Sequence, residues 1–439
     1  MRAALGRTLK LGVPLLVFGG ALAVFGVVND DGDAGRSPVA AVTARADVVA
    51  PGAGNDERIA VLQRAVRAAG TAANYAALGG AYLQHVRETG DPGFYTRAEG
   101  VLRRATARDP RNVDAVIGLG TLALARHDFA AALQYGLRAR RLAPAAYGAY
   151  PVVIDALVEL GRYDQAGRVL QRLVDGKPGL PAYARASYFQ ELHGDLPSAV
   201  ATMRLAVSAG SATPEGAAYV QTLLGNLQFG RGRVAAARAA YRSALRAQPA
   251  FPAARAGMAR TSAARGDLAG AITTLRGVVA QLPLPEYIVA LGEAELAAGR
   301  TRQAREDLAL VAVERRLLAA GGVDADVELA IFEADHGSPR QGVGLARRAW
   351  AAAPSVRAAD ALGWALTRAG SPKAGYAWAR RALRLGWREP LAVYHAGMSA
   401  RAAGQPAAAR RLLGGLLRQA PRFSPLHAPR ARRALRSLG

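Results

Sequence analysis

Cysteine is absent from the 439-residue chain. That excludes a disulfide framework, thiolate metal sites, a cysteine nucleophile and lipid-modified cysteines; it permits an oxidising compartment without requiring one. Lysine is nearly absent as well, with Lys10, Lys177 and Lys373 the only three. Arginine in place of lysine is what a GC-rich genome gives, so arginine by itself says little. Its excess says more: lysine and arginine number 57 against 33 aspartates and glutamates, a net charge of +24. Such an imbalance points to an anionic neighbour, whether nucleic acid, an acidic lipid surface or a wall polymer. The sequence also lacks the phosphate-binding G-x-x-x-x-G-K-[ST], the G-x-S-x-G elbow and the H-E-x-x-H zinc motif. No enzyme and no cofactor is expected from it.

The one long apolar run is at the start. Arg2, Arg7 and Lys10 precede the uncharged stretch Leu11–Val28, and Asp30, Asp31 and Asp33 follow it. Eighteen residues as a helix reach about 27 Å, close to the ~30 Å hydrocarbon core of a bilayer. Basic residues before the span and acids after it orient the N-terminus inward. The expectation is a membrane anchor over residues 1–28, with the rest of the chain outside the cytoplasm. A cleaved signal peptide, cut near Ala21-Leu22-Ala23, is the rival and gives a secreted protein; a buried soluble helix is the third reading. Residues 29–55, rich in Ala, Gly, Asp and Pro, read as a flexible linker.

From residue 56 to 421 the chain repeats. Pro110, Pro144 and Pro178 are 34 apart, as are Pro249 and Pro283. A ladder of small residues runs through Ala98, Ala132, Ala166, Ala199, Ala237, Ala271, Ala304, Gly342, Gly375 and Ala409, in steps of 33 or 34 except for 38 after Ala199 and after Ala304. Twelve residues before most rungs lies a second small site, such as Gly120, Ser187, Gly225, Gly292 or Gly363; Ile154 departs from it in the third repeat. Each unit then holds two helices of about a dozen residues around a short turn. Small residues sit where helix axes cross closely, and proline sits past the end of the second helix. A single pair cannot bury its apolar face, but a stack can.

The stretches Leu223–Pro249 and Val116–Pro144 carry the pattern best, with Leu224, Gly225, Ala237, Tyr241, Ala244 and Pro249 at the expected places. In these residues the chain resembles the tetratricopeptide repeat family. The first repeat carries an insertion between its helices, and glycine replaces the ladder alanine in repeats eight and nine. The resemblance implies an all-α, right-handed α-solenoid of about ten hairpins. Residues 422–439 read as a basic C-terminal capping helix, with Ser424 as its cap and Leu435 and Leu438 resting on the last repeat.

The resemblance also implies that first helices line a concave groove. Its register places Asp155, Glu159, Tyr188, Glu191, Tyr219, Thr222, Asn226, Phe229, Arg260, Glu293, Trp364 and Tyr394 on that wall, along with Glu286, Asp324, Asp335, Arg357 and Asp360. Acids outnumber arginines there although the chain is basic. The expected partners are therefore protein or peptide segments of basic or amphipathic character, held as an adaptor or scaffold would hold them. The arginines of the second helices face outward, where a structural scaffold would meet anionic membrane or wall polymer; a non-catalytic subunit of an envelope enzyme or secretion complex is a further alternative. Nucleic acid is not expected, because the groove lacks a basic, aromatic stripe. His85, His127, His193 and His336 all fall at the end of a first helix and read as solvated turn residues, and His395 and His427 read as isolated.

Overall fold

The computed structural model of the protein describes residues 54–438 with the exception of Ala212. The expected anchor and nearly all of the linker lie outside the described residues. Among those described, no helix is long and apolar enough to cross a membrane, and no strand is present.

Helix α1 (Asn55–Ala68) leads into ten helical hairpins. They are α2–α3 (Ala72–Thr89, Gly93–Arg108), α4–α5 (Val113–Ala125, Phe129–Leu142), α6–α7 (Tyr150–Glu159, Tyr163–Gly176) and α8–α9 (Leu180–Leu192, Leu196–Ser208). Next come α10–α11 (Pro214–Gly230, Val234–Ala247), α12–α13 (Pro252–Ala264, Leu268–Gln281) and α14–α15 (Pro285–Ala297, Thr301–Leu308). An added helix, α16 (Leu310–Ala320), continues the seventh hairpin after a break at Ala309. The last three are α17–α18 (Asp326–His336, Pro339–Ala352), α19–α20 (Val356–Arg368, Pro372–Ala382) and α21–α22 (Pro390–Ala402, Pro406–Gln419), followed by α23 (His427–Arg436). The chain is an all-α solenoid of tandem hairpins.

Local chemistry accounts for the boundaries. Asp128, Asp195 and Asp267 each cap a second helix by accepting the N–H three residues on. Proline ends these helices through its predecessor. The residue before it must leave the α region to clear the pyrrolidine ring, and Asp109, Ala143, Lys177, Gln248, Leu282, Ala353 and Ala420 all do so, with φ between −136° and −150°. At the other end of the chain, Ser424 Oγ accepts the N–H groups of Leu426 and His427 at the start of α23.

All ten rungs of the small-residue ladder are buried, the eight alanines at 0% exposure. Glycine in repeats eight and nine is not a weaker version of the pattern. A Cβ on Gly342 would stand 2.8 Å from the carbonyl oxygen of Ala330, and one on Gly375 would stand 2.7 Å from that of Gly363. The helices cross more closely there, so even a methyl group is too large.

The winding of the stack is the feature that periodicity does not contain. Segments 189–197 residues apart touch, so the superhelix comes round on itself after between five and six repeats. Tyr163 Oη accepts the backbone N–H of Val356 at 2.8 Å, Gln419 Nε2 donates to the carbonyl of Gly230 at 3.0 Å, and Arg126 Nε donates to that of Gly321 at 3.0 Å. The backbone joins in as well, with Asp324 N–H donating to Arg126 O at 3.1 Å. The four extra residues of the step after Ala304 belong to this seam. They fall in the stretch with α16, whose Val311 and Leu318 enter one core with Tyr95, Leu122 and Ala125 of the first two hairpins.

Two turn glycines show how close the approach is. Gly161 (φ +69°) and Gly232 (φ +73°) face the carbonyls of Pro354 and Gln419, and a Cβ on either would fall well inside van der Waals contact with them. The equivalent Gly299 (φ +77°) meets nothing within 4 Å, because no second turn passes it. Gly232→Ala and Gly299→Ala share the left-handed strain of about 1–2 kcal/mol. Gly232→Ala should cost a further ~1–3 kcal/mol, because it must push the adjoining turn away. Chemical denaturation of both variants checks this; equal losses would mean that the turns do not touch.

Candidate functional site

The tight winding packs many polar side chains of the first helices against neighbouring repeats. Much of what periodicity places on an open wall is thereby covered. Asp155 is buried, and Arg185 grips it with two parallel bonds, Nε to Oδ1 at 2.8 Å and Nη2 to Oδ2 at 2.6 Å. Arg185 is itself 2% exposed and also donates to the carbonyl of Pro181 at 3.1 Å. Burial pushes the Asp155 carboxyl up to about 6 while Arg185 pulls it down, which leaves it ionised at neutral pH.

Trp364 and Tyr394, expected as groove anchors, are core residues at 4% and 2% exposure. Trp364 Nε1 donates to Asp335 Oδ1 at 3.1 Å, and its ring stacks on His395 with centroids 4.6 Å apart. Tyr394 packs against Phe423 and His427. Thr222 turns its hydroxyl back to the carbonyl of Ala218 at 2.7 Å. Phe229 is buried beneath Arg260, whose guanidinium carbon lies 5.3 Å from the ring centroid. Arg260 also joins Asn226 and Tyr241 Oη in one hydrogen-bonded cluster. Asn226 is thus engaged within the chain, whereas Arg260 keeps an exposed side.

The histidines need correction. His193 is exposed as expected, but His336, His395 and His427 are neither solvated nor isolated. His336 Nε2 and His427 Nε2 lie 3.3 and 3.1 Å from the same oxygen of Glu293, tying α14, α17 and α23 together. Burial alone would raise the Glu293 carboxyl, but the two imidazoles reverse the sign and hold it well below the usual carboxylate range. His395 Nδ1 lies 3.0 Å from Asp360 Oδ2. Burial opposes its charge, yet Asp360 outweighs it and the imidazole holds its proton more tightly than usual. These companions come from other repeats, so no spacing within one helix reveals them. No cluster suited to a metal ion forms among the described residues.

Glu159, Glu191 and Tyr219, on the first helices α6, α8 and α10, keep partial exposure. Burial pushes the Glu191 carboxyl up to about 8, Glu389 adds to the rise, and Arg357 counters only part of it. Burial likewise raises Glu159 against the pull of Arg357, and raises Glu389, the cap of α21. Arg357 serves several acids at once and donates to Glu328 Oε1 at 3.2 Å. The first helices of a strongly basic chain therefore hold carboxylates that its own cations only partly offset.

Two family models for the tetratricopeptide repeat match the chain, over residues 83–147 and 228–291. The chain carries tetratricopeptide repeats. Repeats of this kind support a protein-interaction role. No curated protein sequence matches it. Among solved structures it is similar to a chain of the APC/C hetero-tetramer Cut9-Hcn1 (15% identity, 88% of this chain and 86% of that one, TM-score 0.38). It is also similar to the human IFIT1 dimer with m7Gppp-AAAA (15% identity, 75% and 77%, TM-score 0.48) and with PPP-AAAA (14% identity, 83% and 86%, TM-score 0.46). None of these likenesses carries an argument about what this tetratricopeptide-repeat chain binds.

Sequence reasoning missed Arg185, although a signal existed. It is the one arginine in α8, a helix with apolar or aromatic residues on every side, so it has no solvated face to occupy. Arg185→Met should cost roughly 3–5 kcal/mol by stranding the Asp155 carboxylate. Combining it with Asp155→Leu should recover most of that loss. Urea denaturation of the single and double variants measures both, and a double variant no more stable than the single would contradict the pairing.

Proposed function

We propose that the chain is an adaptor that holds basic segments of partner proteins on the acid-lined inner wall of its repeat superhelix. In this reading residues 1–28 anchor it to a membrane and the repeats stand outside the cytoplasm. It does no chemistry of its own. The observation that carries the proposal is the charge imbalance along the axis. In a chain of net charge +24, burial raises the carboxyls of Glu159, Glu191 and Glu389, and nearby cations such as Arg357 and His395 offset that only in part. A lysine or arginine of a partner would relieve that, while Tyr219 and the exposed side of Arg260 would offer flanking contact area.

The sign of the pH response follows from Glu191. Its folded value of about 8 lies above the ordinary glutamate value of 4.5, so its contribution to stability is full below the lower value and is lost as pH rises through the upper one. A bound cation offsets that loss. Affinity for a basic peptide should therefore rise between pH 7 and 9. An arginine-rich synthetic peptide, titrated calorimetrically at both pH values, is a suitable probe. Glu159→Gln with Glu191→Gln should weaken binding and flatten the pH response, whereas Arg140→Glu with Arg141→Glu on α5 should not weaken it. Weakening by the α5 change alone would overturn the groove reading.

A second reading has its own support. Arg103, Arg104, Arg141, Arg242 and Arg246 are exposed on second helices, a surface suited to anionic membrane or wall polymer. Such binding would vanish at high ionic strength.

A further inference from the structure

The seam between superhelical turns opens into a cleft of about 600 Å³ where the turns of the fourth and fifth hairpins meet the last two hairpins. Arg231, Arg233, Arg388 and Arg418 line it, and its lining includes no aspartate or glutamate. Each guanidinium comes from a backbone position fixed by the fold. Arg231 is the C-cap of α10 and Arg233 the N-cap of α11; Arg418 lies in the last turn of α22, and Arg388 directly precedes the residue that caps α21. The same seam is closed beside the cleft by the bond from Gln419 to the carbonyl of Gly230.

Convergence marks the cleft: exposed arginines such as Arg104, Arg141 and Arg242 also lack a carboxylate partner but stand apart on outer helices, whereas these four line one concavity. Arg126, Arg185, Arg276, Arg348 and Arg357 each have a carboxylate partner. Among the described residues, none of the four cleft arginines forms an ion pair. Four like charges converging on one concavity repel one another, and an anion placed between them reverses the sign of that interaction. The volume falls within the range of small-molecule sites. A guanidinium presents paired N–H groups that match phosphate geometry, so several of them around one cleft suit a ligand with more than one phosphate.

We propose that this cleft binds a compact polyanion, a group carrying two or three phosphates, and that the ligand clamps adjoining superhelical turns. The clamp follows from connectivity. Arg231 and Arg233 belong to one turn of the superhelix and Arg388 and Arg418 to the next, so a ligand held by both pairs favours the closed winding.

The test uses the full-length chain held in phosphatidylcholine nanodiscs without free detergent, with sodium tripolyphosphate as the soluble probe and phosphatidylcholine vesicles containing phosphatidylinositol bisphosphate as the lipid probe, both at constant ionic strength. The expected result is a raised unfolding temperature with tripolyphosphate. Arg388→Gln with Arg418→Gln should weaken binding by at least about tenfold, while Arg64→Gln with Arg67→Gln, exposed on α1, should leave it unchanged. Circular dichroism of the two variants checks that both fold. Tripolyphosphate binding without vesicle binding assigns a free polyphosphate as the ligand. Vesicle binding that tripolyphosphate displaces assigns a lipid headgroup. Equal binding by the two double variants, or none by the wild type, would overturn the proposal.

Discussion

The contact between one turn of the superhelix and the next governs the rest of the molecule. A stack of hairpins can wind loosely around a wide groove or tightly around a filled axis, and the ladder of buried alanines suits either. Here Gly161 and Gly232 admit carbonyls of the following turn where any side chain would intervene. Tyr163, Arg126 and Gln419 then bond across the same line. At the corresponding turn of the second repeat the backbone takes the same left-handed form at His127, the one non-glycine residue with positive φ among those described. Its imidazole meets the carbonyl of Asp324 on the adjoining turn and stacks on Phe129, contacts that glycine could not make.

Tight winding decides what the axis can contain. Polar residues that would face water in an open groove are drawn into a restricted space, where an unpaired charge is costly and a paired one is locked. Arg185 and Asp155 satisfy each other, and Glu293 is shared between two histidines. Glu191 and Glu389 have no such resolution, and burial displaces their protonation. The same closure draws the four seam arginines together without a carboxylate among them. Acids without enough cations inside, and cations without acids at the seam, are two sides of one arrangement.

The hairpins were legible because their causes are local. Proline spacing, capping aspartates and small residues at close crossings all act within a few tens of residues, and every rung of the ladder is buried as its spacing implies. Even the 38-residue step after Ala304 was visible, although its purpose was not: α16 belongs to a contact with the start of the array. The pitch was not legible, because it comes from a small rotation between repeats that no period records. The site suffers from the same limit. Trp364 and Tyr394, expected on the groove wall, could not be seen as core, and His336, His395 and His427 found their carboxylates in other repeats. Whether an inner-wall residue is accessible depends on the neighbouring turn more than on its own helix.

The absence of cysteine permits a direct test of the closed winding. Spin labels on Asp164→Cys and Ala352→Cys occupy exposed positions that flank the approach of Gly161 to Pro354, and pulsed electron resonance reads the distance between them. A closed superhelix predicts one short, narrow distance distribution that broadens when Gly232→Ala is added. A broad distribution at long distance in the otherwise unaltered chain would contradict it, and would return the inner wall to the open groove that the repeats alone imply.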